Sequence, residues 1–312
     1  VAFSLDAGPV TAAGLDAGAF GLTARIKQDR ADIDRLMVTN LAGASLSATG
    51  SLTDLQLTPS GTIDASIVSA DGSELVSTLA ARFSGIDWLT VAADRIGVTP
   101  DLLSDLQLSI IASSAPEDED RAWTMSGNVK AASGSASFAG SWKSGDTSFA
   151  DADGEWQITA TQDEPLNFLS LAGIDLVPLG APGPATLELK AKGKPSSALD
   201  IEVAYSADGT AATFAGKRSA TPDSSVLDGK ATLVSSDLDP YLFATGFAFP
   251  GTGLGTPVSL ETGLVRAAAS YELKGLVASI ADMKADGDLM LNAAGERPKI
   301  SGRLAVDRVG AE

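Results

Sequence analysis

Along this chain, short runs alternate between apolar and polar residues, and Gly and Pro separate them. Leu187-Glu188-Leu189-Lys190-Ala191-Lys192 is the clearest run. In Ile300-Ser301-Gly302-Arg303-Leu304-Ala305-Val306-Asp307, Ile300, Leu304 and Val306 share one side, and Arg303 and Asp307 take the other. Successive strand side chains point to opposite faces, so each run predicts a half-buried strand. Ile63, Ala65 and Ile67 repeat the pattern against Thr62, Asp64 and Ser66. Strands are also expected from Leu36 to Ala44, at Leu55 and Leu57, and from Leu106 to Ile110, Met125 to Val129, Phe138 to Trp142 and Trp156 to Ala160. Pro59-Ser60-Gly61 reads as a hairpin loop, and Glu117-Asp118-Glu119-Asp120 as a solvated loop between strands.

Three short helices interrupt the strands. Leu75, Leu79 and Phe83 fall at helical spacing, Asp71 can cap, and Glu74 completes a capping-box pattern, which predicts a helix from Gly72 to Phe83. Glu164-Pro165 and Asp239-Pro240 open two further helices, with an acidic cap, Pro at the first helical position and Gly173 or Gly246 beyond the end. Gly173 and Gly246 lie 73 positions apart, as do Pro184 and Pro257. The first helix ends Phe83-Ser84-Gly85-Ile86-Asp87 and the second Leu171-Ala172-Gly173-Ile174-Asp175. These matches predict a repeated unit, mostly strand with one short helix. With so few helices, the apolar sheet faces need another covering: a second sheet or a ligand.

The 312 residues form one segment, with sub-units expected at 1–98, 99–183 and 184–312. A net charge of −18 repels nucleic acid and anionic membrane surfaces, and no Lys/Arg cluster offsets it. Cysteine and histidine are both absent, which removes disulfides, thiolate zinc sites, Cys nucleophiles and the Ser-His-Asp arrangement. The predicted answer to enzyme activity is no, and no cofactor or metal is expected. Asp151, Asp153 and Glu155 place acidic oxygens at alternate positions, but a calcium loop needs about six ligands and a closing Glu at the right offset. Asp-Gly is also ordinary turn chemistry. No apolar run approaches the ~20 residues that span a bilayer. The chain opens on Val1 without Met and ends on Glu312 without a closing element, so a fragment of a longer protein is expected.

The C-terminal third carries Asp237-Leu238-Asp239-Pro240-Tyr241-Leu242, Gly246, Pro250, Leu273-Lys274-Gly275-Leu276, Asp286-Gly287-Asp288-Leu289 and Arg297-Pro298-Lys299-Ile300-Ser301-Gly302-Arg303-Leu304. In this order and spacing it resembles the AsmA family of bacterial envelope proteins, AsmA-like and TamB-like. Leu41-Ala42-Gly43-Ala44 and Thr49-Gly50-Ser51-Leu52 look like an earlier part of the same family. The resemblance implies an inner-membrane anchor, a periplasmic body, and a long curved β-sheet with an open apolar groove. It also implies passage of phospholipid between inner and outer membranes, supporting outer-membrane homeostasis. Implied partners are phospholipid, the two membranes through flanking regions, and membrane proteins of either side.

The expected fold is mainly β: an elongated, repetitive, mostly antiparallel curved sheet with a few short helices, whose groove would be lined by Ile63, Ile67, Leu187, Leu189, Ile201, Val203, Leu289, Leu291, Ile300, Leu304 and Val306. Lys190, Lys192, Glu202 and Arg303 would face water. Inward positions mix Leu and Ile with Ala and Gly (Ala65, Ala191, Ala293, Gly302), which leaves room for acyl chains or for a closely apposed second sheet. A closed-core structural or scaffold protein for outer-membrane assembly is therefore the competing reading. Trp88, Trp123, Trp142 and Trp156 fit core or strand-surface anchors better than ligand grips.

Overall fold

A computed structural model of the chain describes residues 1–12, 15–55, 59–83, 87–117, 120–144, 149–171, 174, 176–177, 183–221, 224–246, 253, 255–294 and 299–307. Strands make up 69% and helices 14%, so the fold is mainly β as the alternation predicts. Among the described residues, seventeen strands belong to one antiparallel sheet. Of the earlier assignments, Leu57, Gly85, Gly173, Pro250 and Pro298 lie outside the described residues.

Contacts divide the chain into two compact units. The first comprises Val1–Asp146, Ala160–Asp163 and Asn167–Ile174. The second comprises Thr147–Thr159, Glu164–Leu166 and Asp175–Glu312.

The first unit begins with β1 (Ala2–Ala7), the small ladder of β2 (Val10–Ala12) with β3 (Leu15–Ala17), then β4 (Ala19–Lys27), β5 (Arg30–Leu41), β6 (Ala44–Thr53) and β7 (Ser60–Asp71). Two helices follow, α1 (Gly72–Arg82) and α2 (Asp87–Val98), and then β8 (Ser104–Glu117), β9 (Asp120–Ala131) and β10 (Gly134–Ser144). Strand β1 pairs with β4, and β4 through β10 pair in succession. Strand β11 (Asp153–Gln162) contributes to both units, and α3 (Leu166–Leu171) follows it. In the second unit, β12 (Ala185–Lys194), β13 (Ala198–Ala207), β14 (Thr210–Thr221) and β15 (Ser224–Ser235) lead to α4 (Asp239–Ala244). Then come β16 (Val258–Ala267), β17 (Ser270–Ile280), β18 (Met283–Asn292) and β19 (Lys299–Val306), again paired in succession.

The expected repeat takes a definite form in the second unit: four up-and-down strands, a short helix, four more strands. Four is even, so the chain returns to the end of the sheet from which it started. The helix after each set therefore lies at that end.

Three assignments shift, the first being Leu55, which lies in a turn beyond the end of β6 rather than in a strand. Ser60 and Gly61 belong to β7 rather than to the loop before it. Glu117 and Asp120 pair as the ends of β8 and β9 rather than lying in a loop, and 118–119 lie outside the described residues. Helix α1 forms where expected: the Asp71 Oδ1 accepts from the Ser73 backbone N–H at 2.9 Å. Hydrogen bonds from the Ser73 hydroxyl and backbone hold the Asp71 carboxyl below its ordinary range. Helix α2 was not anticipated.

The cap of α4 is also reassigned. Asp237, not Asp239, is the capping acceptor: its Oδ1 takes the Asp239 N–H at 2.9 Å and the Thr256 N–H at 3.2 Å. Asp239 is buried and turns the other way, with its Oδ2 accepting from the Gly253 and Gly255 N–H groups at 2.6 and 3.2 Å. It ties the connection after α4 to the start of the helix. The Thr256 hydroxyl, with these two backbone donors, holds its carboxyl below the ordinary range.

Buried apolar side chains fall both beside the helices and within the sheet rows, where Ala24 and Ala48 are also buried. In the first unit they include Leu75, Ala80, Ile96, Leu102 and Leu106. In the second they include Ala185, Ala244, Val258, Leu276 and Ala278. Gly72 fits here because a Cβ at that position would lie 2.6 Å from Leu106 Cδ2 and 3.1 Å from Leu103 Cβ.

Candidate functional site

The strand registers place the apolar residues in rows that run across each unit. In the first unit, one row is Ala7, Phe20, Val38, Leu46, Ile67, Leu108, Val129 and Ala136. The next is Leu5, Leu22, Leu36, Ala48, Ala65, Ile110, Gly127 and Phe138, and the third is Phe3, Ala24, Ile33, Gly50, Ile63, Ala112, Met125 and Gly140. A fourth carries Ile26, Ala31, Leu52, Gly61, Ser114, Trp123 and Trp142. No charged residue enters these rows.

The second unit is built the same way. Leu187, Tyr205, Ala212, Leu233, Leu260, Ala278, Ala285 and Val306 form one row. Leu189, Val203, Phe214, Ala231 and Thr262 form the next, which resumes with Leu276, Gly287 and Leu304 after a bulge at Glu261–Gly263. Ala191, Ile201, Gly216, Gly229, Leu264, Leu273, Leu289 and Gly302 form the third.

Both residues proposed as lining in the first unit, Ile63 and Ile67, thus share one face. All nine proposed in the second, from Leu187 to Val306, share the corresponding face. Lys190, Lys192, Glu202 and Arg303 point to the opposite side and are exposed.

The two faces differ in chemistry. The polar face carries hydroxyl pairs across strands, such as Ser47–Ser66 at 2.8 Å, Ser113–Thr124 at 2.6 Å and Thr213–Thr232 at 2.6 Å. It also carries ion pairs such as Lys217–Asp200 at 3.2 Å, Lys230–Glu261 at 2.6 Å and Lys192–Glu155. The apolar face has no comparable partner. The one other sheet among the described residues has two strands of three residues, too small to cover it. Ile63 is accordingly 38% exposed, Leu304 42% and Ile300 74%.

Each apolar face has a closed end beside a helix. In the first unit, Leu106, Ser69 and Ala44 are register partners one position beyond the apolar rows, and all three are buried. In the second, Thr210, Ser235 and Val258 occupy the same position and are also buried. There Tyr205 on β13 meets Tyr241 on α4, hydroxyl to hydroxyl, at 3.0 Å. Burial, and then the bond to Tyr241, pushes the Tyr205 hydroxyl pKa up, so Tyr205 stays neutral.

Glycines in the rows do not leave open room, contrary to expectation. A Cβ at Gly216 would lie 2.6 Å from Gly229 Cα and 2.7 Å from Phe214 Cζ. At Gly127 it would lie 2.5 Å from Phe138 Cζ. Aromatic rings lie over these glycines, so they flatten the floor of the face rather than deepen it.

Trp123 and Trp142 stack across strands with centroids 6.2 Å apart, as surface anchors of β9 and β10. Trp156 meets Phe149 edge-on at 5.7 Å. The Trp88 side chain lies outside the described residues. Among the described residues, no group of three acidic side chains converges to hold a metal ion, and no helix is long and apolar enough to cross a membrane. Sequence reasoning passed over Arg218 and Arg266, which occupy the apolar face. Each sits in the phase of its inward residues (Phe214, Gly216, Arg218; Leu260, Thr262, Leu264, Arg266), a signal visible in the alternation itself. Comparison with protein-family models, curated proteins and solved structures finds no match for this chain.

Proposed function

We propose that this chain is a segment of an AsmA-like periplasmic protein that shields phospholipid acyl chains during passage between the inner and outer membranes. One observation carries the reading: within each unit, an apolar face of several continuous rows is left half-exposed with no second sheet over it. Apolar surface left in water costs roughly 25 cal/mol per Å², so an occupant that covers the rows is favoured. Acyl chains suit such a face because they are long, flexible and indifferent to which aliphatic side chain they meet. The polar face keeps the other side of the same strands in water.

The mechanism is passive and assigns no catalytic residue. Chains partition onto the rows, worth ~0.8 kcal/mol per buried methylene, and slide without a fixed stopping point. Head groups remain in water.

Photo-crosslinkable side chains at Leu189 and Leu304, with lipid extraction of the purified chain, test the proposal. The expected result is co-purified phospholipid and crosslinks to it from both positions but not from Lys190. Absence of both lipid and crosslinks would favour the closed structural or scaffold reading instead.

A further inference from the structure

The fourth row of the second unit breaks the apolar rule. It runs Gly193, Leu199, Arg218, Leu227, Arg266, Tyr271, Leu291 and Ile300. Two arginines flank Leu227, on strands about 10 Å apart at a ladder spacing of ~4.8 Å. They lie at the margin farthest from α4, because Tyr205 meets Tyr241 in the first row and Arg218 lies three rows away. No carboxylate belongs to any of the four rows, although the chain as a whole carries a net charge of −18.

What sets these arginines apart from other cations is their place in an apolar row, where their partners are not carboxylates. The eight ion pairs among the described residues, from Arg25–Asp34 to Lys274–Glu272, involve neither of them. Arg218 donates instead to the Pro195 carbonyl at 2.6 Å and to the Ser225 hydroxyl at 3.1 Å, which holds its guanidinium at the margin. Arg266 lies over the Tyr271 ring, 5.4 Å from its centroid. Positioned guanidinium groups without a carboxylate keep donors available for an external oxyanion.

The first unit repeats the plan independently. Its rows end on the Trp123–Trp142 stack, and Arg121, in the same phase one step farther out, lies 5.5 Å from the Trp123 centroid. Arg121 donates to the Pro59 carbonyl at 2.6 Å and takes part in none of the eight ion pairs.

We infer that the Arg218–Arg266 margin binds the phosphate of an amphiphile whose chains lie on the apolar rows, so the occupant is a phosphate-headed lipid held in a defined orientation. This rests on the acyl-chain reading above and adds to it a head-group site. Fatty tails extend from the margin toward the end closed by α4. A phosphate there replaces water at two guanidinium groups, and charge-assisted bonds of this kind are roughly twice as strong as neutral ones.

The test uses the full chain with two tail-labelled probes of matched acyl length, phosphatidylglycerol and diacylglycerol, each supplied from uncharged, phosphate-free alkyl maltoside micelles. Wild type should retain phosphatidylglycerol roughly tenfold better than diacylglycerol, and the preference should shrink as salt rises. Arg218→Gln/Arg266→Gln should abolish the preference, read as the ratio of phosphatidylglycerol to diacylglycerol retained by the same variant, and the double lysine variant should restore part of it. Arg266→Gln alone, which leaves the Pro195 and Ser225 bonds in place, should reduce the preference without loosening the β12–β13 turn. A preference that survives the double glutamine substitution would overturn the head-group site while leaving the acyl-chain reading intact. Failure of both probes to bind wild type would overturn both. Millimolar inorganic phosphate that binds the margin as tightly as the lipid does would identify a free-phosphate site and overturn the lipid assignment.

Discussion

Leu106 and Ile67 are neighbours in kind: aliphatic residues in the apolar phase of adjacent, paired strands. Leu106 is 5% exposed, beneath α1 and its neighbours, whereas Ile67 is half-buried and Ile63, on the same strand, is 38% exposed. The difference lies in what covers them rather than in the residues themselves. Large aliphatic side chains such as Leu75 and Leu106 are buried beside a helix, whereas in the rows most large side chains keep exposed surface and burial is complete mainly at small residues such as Ala24, Ala48 and Ala278. The helix-covered ends are therefore where stability should be concentrated. The open rows are where function should be.

Substitutions can test that division. The largest effect is expected from Leu106→Ala, which empties space between β8 and the Gly72 end of α1. Leu→Ala in a closed core costs ~2–5 kcal/mol, so thermal denaturation should show a clear loss of Tm with lipid retention per folded molecule unchanged. A smaller loss is expected from Asp239→Asn, which removes the charge that the Gly253 and Gly255 N–H groups and Thr256 hold in place. The Asp239 pKa is lowered in the folded state, so its contribution is full above the ordinary carboxylate value near 3.9. It is lost as the pH falls through the lowered folded value. Acid titration of stability should therefore fall less steeply in Asp239→Asn than in wild type. The smallest change in stability, under ~1 kcal/mol, is expected from Leu304→Ser on the exposed β19. This variant should nonetheless reduce lipid retention more than Leu106→Ala does. A reversed order, with Leu304→Ser unfolding the chain and Leu106→Ala harmless, would break the division between covered ends and open rows.

Much of this was legible in the sequence. Alternation at Leu187–Lys192 and Ile300–Asp307 placed strands, because a period of two allows only one apolar set per strand, but β19 is exposed along its whole length rather than half-buried. Pro165 and Pro240 marked the starts of α3 and α4, since proline suits the first helical turn. Helix α2 was harder to see. Leu89, Ala93 and Ile96 do fall at helical spacing, but the β-branched Thr90 and Val91 dilute the signal. What alternation could not supply was register. Only pairing aligns Leu46, Ile67, Leu108 and Val129 into one row, and only then do Arg218 and Arg266 stand out as charges in apolar company. The glycines misled for a related reason. A missing side chain reads as empty space in one dimension, yet Phe214 and Phe138 reach along their own strands and across to neighbours to occupy it.

The four-strand set has one more consequence. Val258 opens β16 73 residues after Ala185 opens β12, and both strands begin at the same end with the same phase. Removing or duplicating one whole set would change the width of the second unit by about 19 Å, at ~4.8 Å per strand. It would leave the two chemistries on their original sides and the short helix at its original end. An odd number of strands would reverse the helix and bring it against the arginines. The fold can therefore be lengthened like a ruler, in whole divisions, while the gap it measures is set by the number of divisions rather than by any one residue.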